Sequence, residues 1–442
     1  MENLEKVKNS LFNSVGLKLA LIAFLSLLLM IPAFMIMDLI REREQRSNET
    51  INEVTALWGN EQTLTAPVLT LQMVTLPKPG QNATGRTTRY VHFLPENLKI
   101  TGNAEPEVRH RGIYRVVTYR SKLHVTGNFL PPDLEALKIS KEEISGIDAW
   151  IELGIPDMRG INQNIQIHWG DSVSPVIPGT ISREIVPSGV HAPVKIDYTS
   201  PVTFSFDVDL NGSTGLNFIP LGKETSVDLT STWTAPKFKG AFIPDNQKVD
   251  EKGFTAHWNI LQLNRNYPQQ WIDDQYKVNE SSFGVDLITQ VDTYQKSMRS
   301  AKYAILFIVL TFLVFFFTEI MTSVRVHIFN YLLVGIALCI FYSLLTALAE
   351  YIPFTIAYLI ASTVIIGMIT VYAHSLYGKR QVTLTVTMTL AALYIYLFVI
   401  LQLANYSLII GNIGLVVILG LVMYFSRRID WYSPVKSHPK SE

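Results

Sequence analysis

The sequence predicts an α-helical polytopic membrane protein of six spans carrying a large all-β, sandwich-like extracytoplasmic domain. Three observations predict it. Six stretches are apolar for roughly 20 residues, the length that crosses about 30 Å of hydrocarbon. One of these lies near the N-terminus, and five fill the last third of the 442-residue chain. Between them, about 260 residues of ordinary soluble composition alternate apolar with polar at period two, as half-buried strands do. The expected division is a cytoplasmic tail (1–16), a first span (17–40), the β-rich domain (41–302), a five-helix bundle (303–425) and a second cytoplasmic tail (426–442).

Composition excludes several classes. Thirty-seven basic residues balance 37 acidic ones, so no basic field points to nucleic acid. The single cysteine, Cys339, lies in an apolar run, which rules out an intramolecular disulfide and a cysteine-based zinc site. The β-rich region must therefore be stable through its own core, and it is long enough to bury one.

The first span, 17–40, has a basic flank in Lys6, Lys8 and Lys18, as a signal peptide would. Its apolar run exceeds a typical h-region and no small-x-small site follows, so an uncleaved signal anchor is expected. A polar helix continues from Arg41 to about Trp58 and ends before Gly59. In the region that follows, Val202, Phe204, Phe206, Val208 and Leu210 face one way, against Thr203, Ser205, Asp207 and Asp209. Ile161, Gln163, Ile165, Ile167 and Trp169 form a second alternating set, with shorter runs at 68–76, 90–94, 113–119 and 227–229. Turn residues at 77–80, 211–212 and 240–244 punctuate the strands, which reads as antiparallel sheets packed face to face. Asp292 is placed to N-cap a helix running through Tyr303 into the second span. Continuous helices at both joints would hold the domain at a fixed attitude to the bilayer.

The remaining spans are expected at 303–323, 331–349, 354–373, 382–403 and 406–425. Arg325, Lys379, Arg380, Arg427 and Arg428 follow the second, fourth and sixth, whereas the turns at 350–353 and 404–405 carry no Lys or Arg. Positive charge stays inside, so both termini are expected in the cytoplasm and the β-rich domain outside. Arg41, Arg43 and Arg46 sit on the outer side against this rule, interleaved with Glu42 and Glu44.

Several local patterns share one order along the chain. They are Arg159-Gly160-Ile161, Gly189-Val190-His191, the run 229–244 with Trp233, Pro236, Phe238, Gly240 and Phe242, and Gly253-Phe254 with His257-Trp258. The membrane part adds Ala301-Lys302-Tyr303, Phe317-Thr318-Glu319, His327 to Gly335 around Tyr331, Ala347 to Glu350, and Arg427-Arg428-Ile429-Asp430-Trp431-Tyr432. With the one-plus-five layout, the chain resembles the CreD family of bacterial cell-envelope inner-membrane proteins, also called colicin-tolerance proteins, from the first span to Tyr432. The resemblance implies a link to envelope integrity and to the output of a two-component regulatory system. It brings no catalytic residue, ligand or cofactor to carry over.

Glu319 is the residue most suggestive of chemistry, because a carboxylate inside an apolar span is costly and often pairs, relays protons or holds an ion. It falls near the cytoplasmic end, where a contact with Arg325 or headgroup water is the plainer expectation. Glu350 and His374 lie at span ends and read as interfacial, and Gln402 and Asn412 are the other polar candidates. Transporters place polar groups near the midplane or on broken helices, which gives that reading little support. Small residues on one face, Ser407, Gly411 and Gly414, and Ala357 with Ala361, read as close helix packing, with homo-oligomerisation behind it. Pro353 suits a helix start.

Among nine histidines none has a metal-ligand spacing, and His191 and His257 read as turn or packing residues. No G-x-S-x-G, Walker or G-x-G-x-x-G motif occurs. The aromatics Trp233, Phe238, Phe242, Phe254 and Trp258 read as sandwich core before they read as a lipid or peptide groove. The expectation is a non-catalytic protein without cofactor or metal, supporting envelope integrity or an envelope-stress response. Its partners would be the lipid bilayer and an envelope protein or lipid bound by the outer domain. A transporter or channel-like protein using Glu319 is the alternative.

Overall fold

The computed structural model describes residues 15–75, 87–139, 144–183, 185–287, 292–322, 324, 326–403 and 407–427. Two compact units divide the chain, one of Met1–Ser47 with Gln290–Glu442, the other of Asn48–Thr289.

In the second unit, seventeen strands among the described residues form two sheets. The first runs Lys237–Gly240, Phe283–Asp286, Gly215–Phe218, Gln62–Thr75, Ile144–Gly154, Gly189–Pro193 and Ile177–Pro178. Thr87–Phe93 also pairs with Gln62–Thr75 and carries Gln270–Ile272. The second sheet runs Asn246–Asp250, Gly253–Leu261, Glu224–Ser231, Asn97–Arg111, Tyr114–Phe129, Val202–Ser213, Gln166–Trp169 and Ser172–Pro175. The inner faces of both sheets feed one continuous core, with Leu71, Ile151 and Phe218 from the first and Val125, Phe206 and Trp258 from the second. Alternation in the sequence reports this burial because successive side chains point to opposite faces.

Three local expectations are corrected. The sheets are not purely antiparallel: Gln62–Leu64 pairs in parallel with Leu216–Phe218, and Glu224–Ser231 with Asn97–Ala104. Each partner is more than a hundred residues away, the long connection that parallel pairing requires. Asn211-Gly212 is not a turn, since both lie within Val202–Ser213 opposite Arg120 and Tyr119. The Tyr119 ring crosses the α-carbon of Gly212, so the glycine serves close approach there, and the chain turns later at Thr214. The strand expected from Ile161 shortens to Gln166–Trp169, with Ile161 held by an isolated bridge to Leu210. The expected turn at 77–80 lies outside the described residues.

The first unit is helical. Helix α1 (Val15–Leu28) and α2 (Met30–Trp58, which belongs to the other unit from Asn48 on) meet at Leu29, where Pro32 has no N–H to offer the Leu28 carbonyl. The path continues through bonds from Leu29 N–H to Leu25 (3.0 Å) and from Ala33 N–H to Leu29 (3.3 Å). Helix α3 (Asp292–Lys302) stops at Tyr303, and α4 (Ala304–Thr322) begins after it, so the unbroken helix expected there is divided. Helices α5 (Ile328–Ala349), α6 (Phe354–Tyr377), α7 (Arg380–Gln402) and α8 (Ser407–Ser426) follow. Gly378, at φ +61°, ends α6 in the left-handed conformation that glycine adopts without strain.

Among the described residues, five helices are long and apolar enough to cross a membrane, the first of them over Gly16–Trp58. The sixth expected span is present as a shorter apolar helix over Ile409–Tyr424. The bundle core gathers Phe312, Phe315, Tyr331 and Phe341 with Leu390 of α7, and fully buried Ala357 and Ala361 let α6 approach closely. Gly335 on α5 leaves the space that the Leu29 side chain and the Phe312 ring occupy.

Candidate functional site

A carboxylate one turn from the end of an apolar helix must find partners, and Glu319 finds three among the described residues. Helix α4 ends at Thr322, and the chain reverses into α5, whose N-cap His327 accepts from Phe329 N–H at 3.2 Å. The reversal brings Val326 N–H to within 3.1 Å of Glu319 Oε1. Tyr331, one turn into α5, donates its hydroxyl to Oε2 at 3.0 Å. Lys18 of α1 completes the set, its ammonium bonded to Oε1 and also donating to the Val326 carbonyl at 2.8 Å. Glu319 is 7% exposed and Lys18 24%, so the carboxylate is buried while the amine reaches the edge. Both carboxylate oxygens are thus occupied, and Lys18 ties the first span to the α4–α5 hairpin.

At the far end of α5 a second charge pair forms, with α2. Glu350 is 8% exposed and stands 3.9 Å from Arg43 of α2. Its Oε1 has no hydrogen-bond partner among the described residues, so the contact is ionic. Lys18 and Arg43 are 25 residues apart, about 37 Å of helix, so the pairs bracket a hydrocarbon thickness. Arg43, which resisted the loop-charge rule, is neutralised by a carboxylate at its own level.

The other candidates have structural partners. His374 Nδ1 lies 3.3 Å from the Thr383 hydroxyl, and Gln402 donates to Thr355 at 3.2 Å. Asn412 is exposed. Gly414 lies beneath Tyr396, while a side chain at Gly411 would meet open space, so only the first serves close packing. The Ser407 side chain, Arg325 and residues 428–432 lie outside the described residues. Arg427 is exposed, with its guanidinium 5.8 Å from the Tyr424 ring.

In the β unit, His257 Nδ1 pairs with Asp228 at 2.7 Å and His191 Nδ1 with the Gly179 carbonyl at 2.8 Å. Trp258 and Phe254 are core, with Phe238 edge-on to both at 5.8 and 5.7 Å. Trp233 and Phe242 pack against that core from partly buried positions. Arg159 holds Asp157 in a two-pronged contact (2.8 and 2.8 Å) and donates to the Ala56 carbonyl in the last turn of α2 at 2.6 Å. That guanidinium keeps the Asp157 carboxyl down at about 2. The motif at 159–161 is therefore a helix stop. No group of three or more His, Cys, Asp or Glu able to hold a metal occurs among the described residues.

Sequence reasoning missed Lys18, Tyr331 and Arg43 as partners. The available signal was a set of cations flanking each end of the first span, against Glu319 near the end of α4 and Glu350 just past α5.

The family profile described as "Inner membrane protein CreD" matches residues 14–432. The chain belongs to the CreD family. It is 32% identical over 415 residues to "Inner membrane protein CreD" of Escherichia coli (strain K12), covering 92% of this chain and 91% of that protein. CreD membership and the apolar helices make this a multi-pass inner-membrane protein with a large β-sheet-rich unit. The CreD match runs through both charge pairs, from Lys18 to Glu350.

Proposed function

We propose that this chain is a non-catalytic scaffold of the cell envelope, supporting its integrity or its stress response, whose β unit lies in the periplasm and binds an envelope component. The observation that carries this reading is the saturation of Glu319 by Lys18, Tyr331 and Val326. A carboxylate that handles ions or protons needs an open coordination site or a water path. Here it latches the first span to the bundle. Six spans with both termini cytoplasmic accompany the reading, supported by the basic turns after α4, α6 and α8.

The β unit offers a surface suited to a partner. Ile243, Leu261 and Leu263 are 77%, 46% and 94% exposed where the edge strand Asn246–Asp250 begins and its neighbour Gly253–Leu261 ends. Every residue of that edge strand is exposed. Photo-crosslinking from Leu263 in intact cells, followed by identification of the adduct, tests the binding. A single recurrent envelope partner supports the proposal, and labelling indistinguishable from that at a distant exposed site such as Ser200 overturns it. Glu319→Gln separates the scaffold from a transporter. In a scaffold, phenotype falls only as far as assembly and abundance fall, whereas phenotype lost at normal abundance would favour transport.

A further inference from the structure

The membrane unit contains a cleft of about 280 Å³ between α4, α7 and α8. Leu310 and Phe317 line it from α4, Thr389 and Leu393 from α7, and Ile418 and Val422 from α8. Its hydroxyls are spent within their own helices: Thr318 donates to Val314 at 2.7 Å, Thr385 to Gln381 at 3.0 Å and Thr389 to Thr385 at 2.9 Å. What remains is a dry apolar wall at hydrocarbon depth. Beyond Leu393, toward the start of α8, Tyr396 of α7 donates to the α8 carbonyls of Ile410 (3.0 Å) and Gly411 (3.2 Å).

The opposite end points along α7 and α8 toward cations. Arg380 stands five residues before Thr385, and Arg427 five residues after Val422, so each lies about 7.5 Å along its helix beyond the cleft. Both are exposed, as is Lys379. Glu319 is the one carboxylate at that end among the described residues, and Lys18 occupies it.

We infer that this cleft seats one acyl chain of an anionic phospholipid, whose headgroup phosphate meets Arg380 and Arg427. The two parts of the site divide the work. Lipid tails are as apolar as leucine, so the cleft fixes position without distinguishing one lipid from another. Discrimination comes from the headgroup, because guanidinium groups at the surface attract anionic lipids and pair with phosphate oxygens. Assigning the lipid to the cytoplasmic leaflet rests on the orientation proposed above, whereas binding itself does not.

Native mass spectrometry of the full chain in detergent tests this, titrating phosphatidylglycerol and phosphatidylcholine of identical acyl chains. The expected result is retention of one phosphatidylglycerol in preference to phosphatidylcholine. Arg380→Gln with Arg427→Gln should weaken phosphatidylglycerol roughly 25-fold, at about fivefold per guanidinium, and weaken phosphatidylcholine, whose phosphate charge is offset by its own choline, much less. Ile418→Trp fills the cleft from the outermost helix and should reduce both lipids. If that variant fails to fold, Thr389→Trp fills it from the other wall. Equal affinity for the two lipids, or lipid binding that survives a filled cleft in a folded variant, overturns the inference. Topology mapping that placed Arg380 outside would refute the orientation alone and leave the detergent result standing.

Discussion

Lys18 and Glu319 show how a charge is tolerated inside a span. A buried ion pair adds little net stability, but deleting one partner strands the other. Lys18→Met leaves the carboxylate uncompensated and should destabilise the membrane unit by about 3 kcal/mol, the low end for buried pairs because Lys18 is partly exposed. Glu319→Gln keeps an acceptor for only one of the Val326 N–H and the Tyr331 hydroxyl, but the cation it leaves is nearer water than the carboxylate, so it should cost less. The double variant Lys18→Met/Glu319→Gln should recover part of the loss, and thermal unfolding of the unsubstituted chain, the two single variants and the double in detergent reads the coupling. In the β unit, His92 is 1% exposed, 3.1 Å from the Thr70 hydroxyl, and burial lowers its pKa from 6.5 to about 4. Between those values the unfolded chain holds a proton that the folded one does not, so stability falls as pH falls from 6.5 to 4. Asp157 acts in a separate window. Held at about 2 chiefly by Arg159, it contributes stability above its unfolded value near 3.8 and loses it as pH falls toward 2. Unfolding of the full chain followed by tryptophan fluorescence should therefore weaken in two steps, and His92→Gln should remove the upper one.

At the scale of elements, the first span owes its seat to Gly335 and to the break at Pro32. Leu29 lies at the break, and its side chain enters the space a Cβ on Gly335 would take, beside Phe312. Gly335→Val should cost about 1–3 kcal/mol by overpacking. Leu29→Ala in the same chain should return part of it, which thermal unfolding of the single and double variants would show. A cost unaffected by Leu29→Ala would place the strain elsewhere. The β-strands were legible because their inner faces alternate, as Phe204, Phe206 and Val208 do. Parallel pairing was not, since Glu224–Ser231 carries the same alternation whichever direction its neighbour runs. The Asn211-Gly212 pair has turn chemistry, and only the Tyr119 ring above it shows why glycine sits mid-strand.

For the whole molecule, the orientation has a direct test. Cys339 is buried, so Cys339→Ser provides a background for single cysteines at exposed sites. A cysteine at Ser200 should react with a membrane-impermeant thiol reagent in spheroplasts, and one at Lys379 should react only after the membrane is opened. The reverse pattern would invert the topology. The two ion pairs lie at opposite ends of α5, because α4 and α5 run in opposite directions.

Length and hydropathy by themselves determined that this chain crosses a membrane repeatedly and carries a β-rich insert, because burial in lipid and burial in a sheet leave different periods along the sequence. The order of its motifs determined the family. Tertiary structure alone decided which charges meet. Glu319 meets Lys18, 301 residues away. Nearness along the chain is no guide once a hairpin turns one helix end toward the first span. The same holds for the cleft of α4, α7 and α8, whose walls are ordinary apolar helix faces until three of them enclose a space.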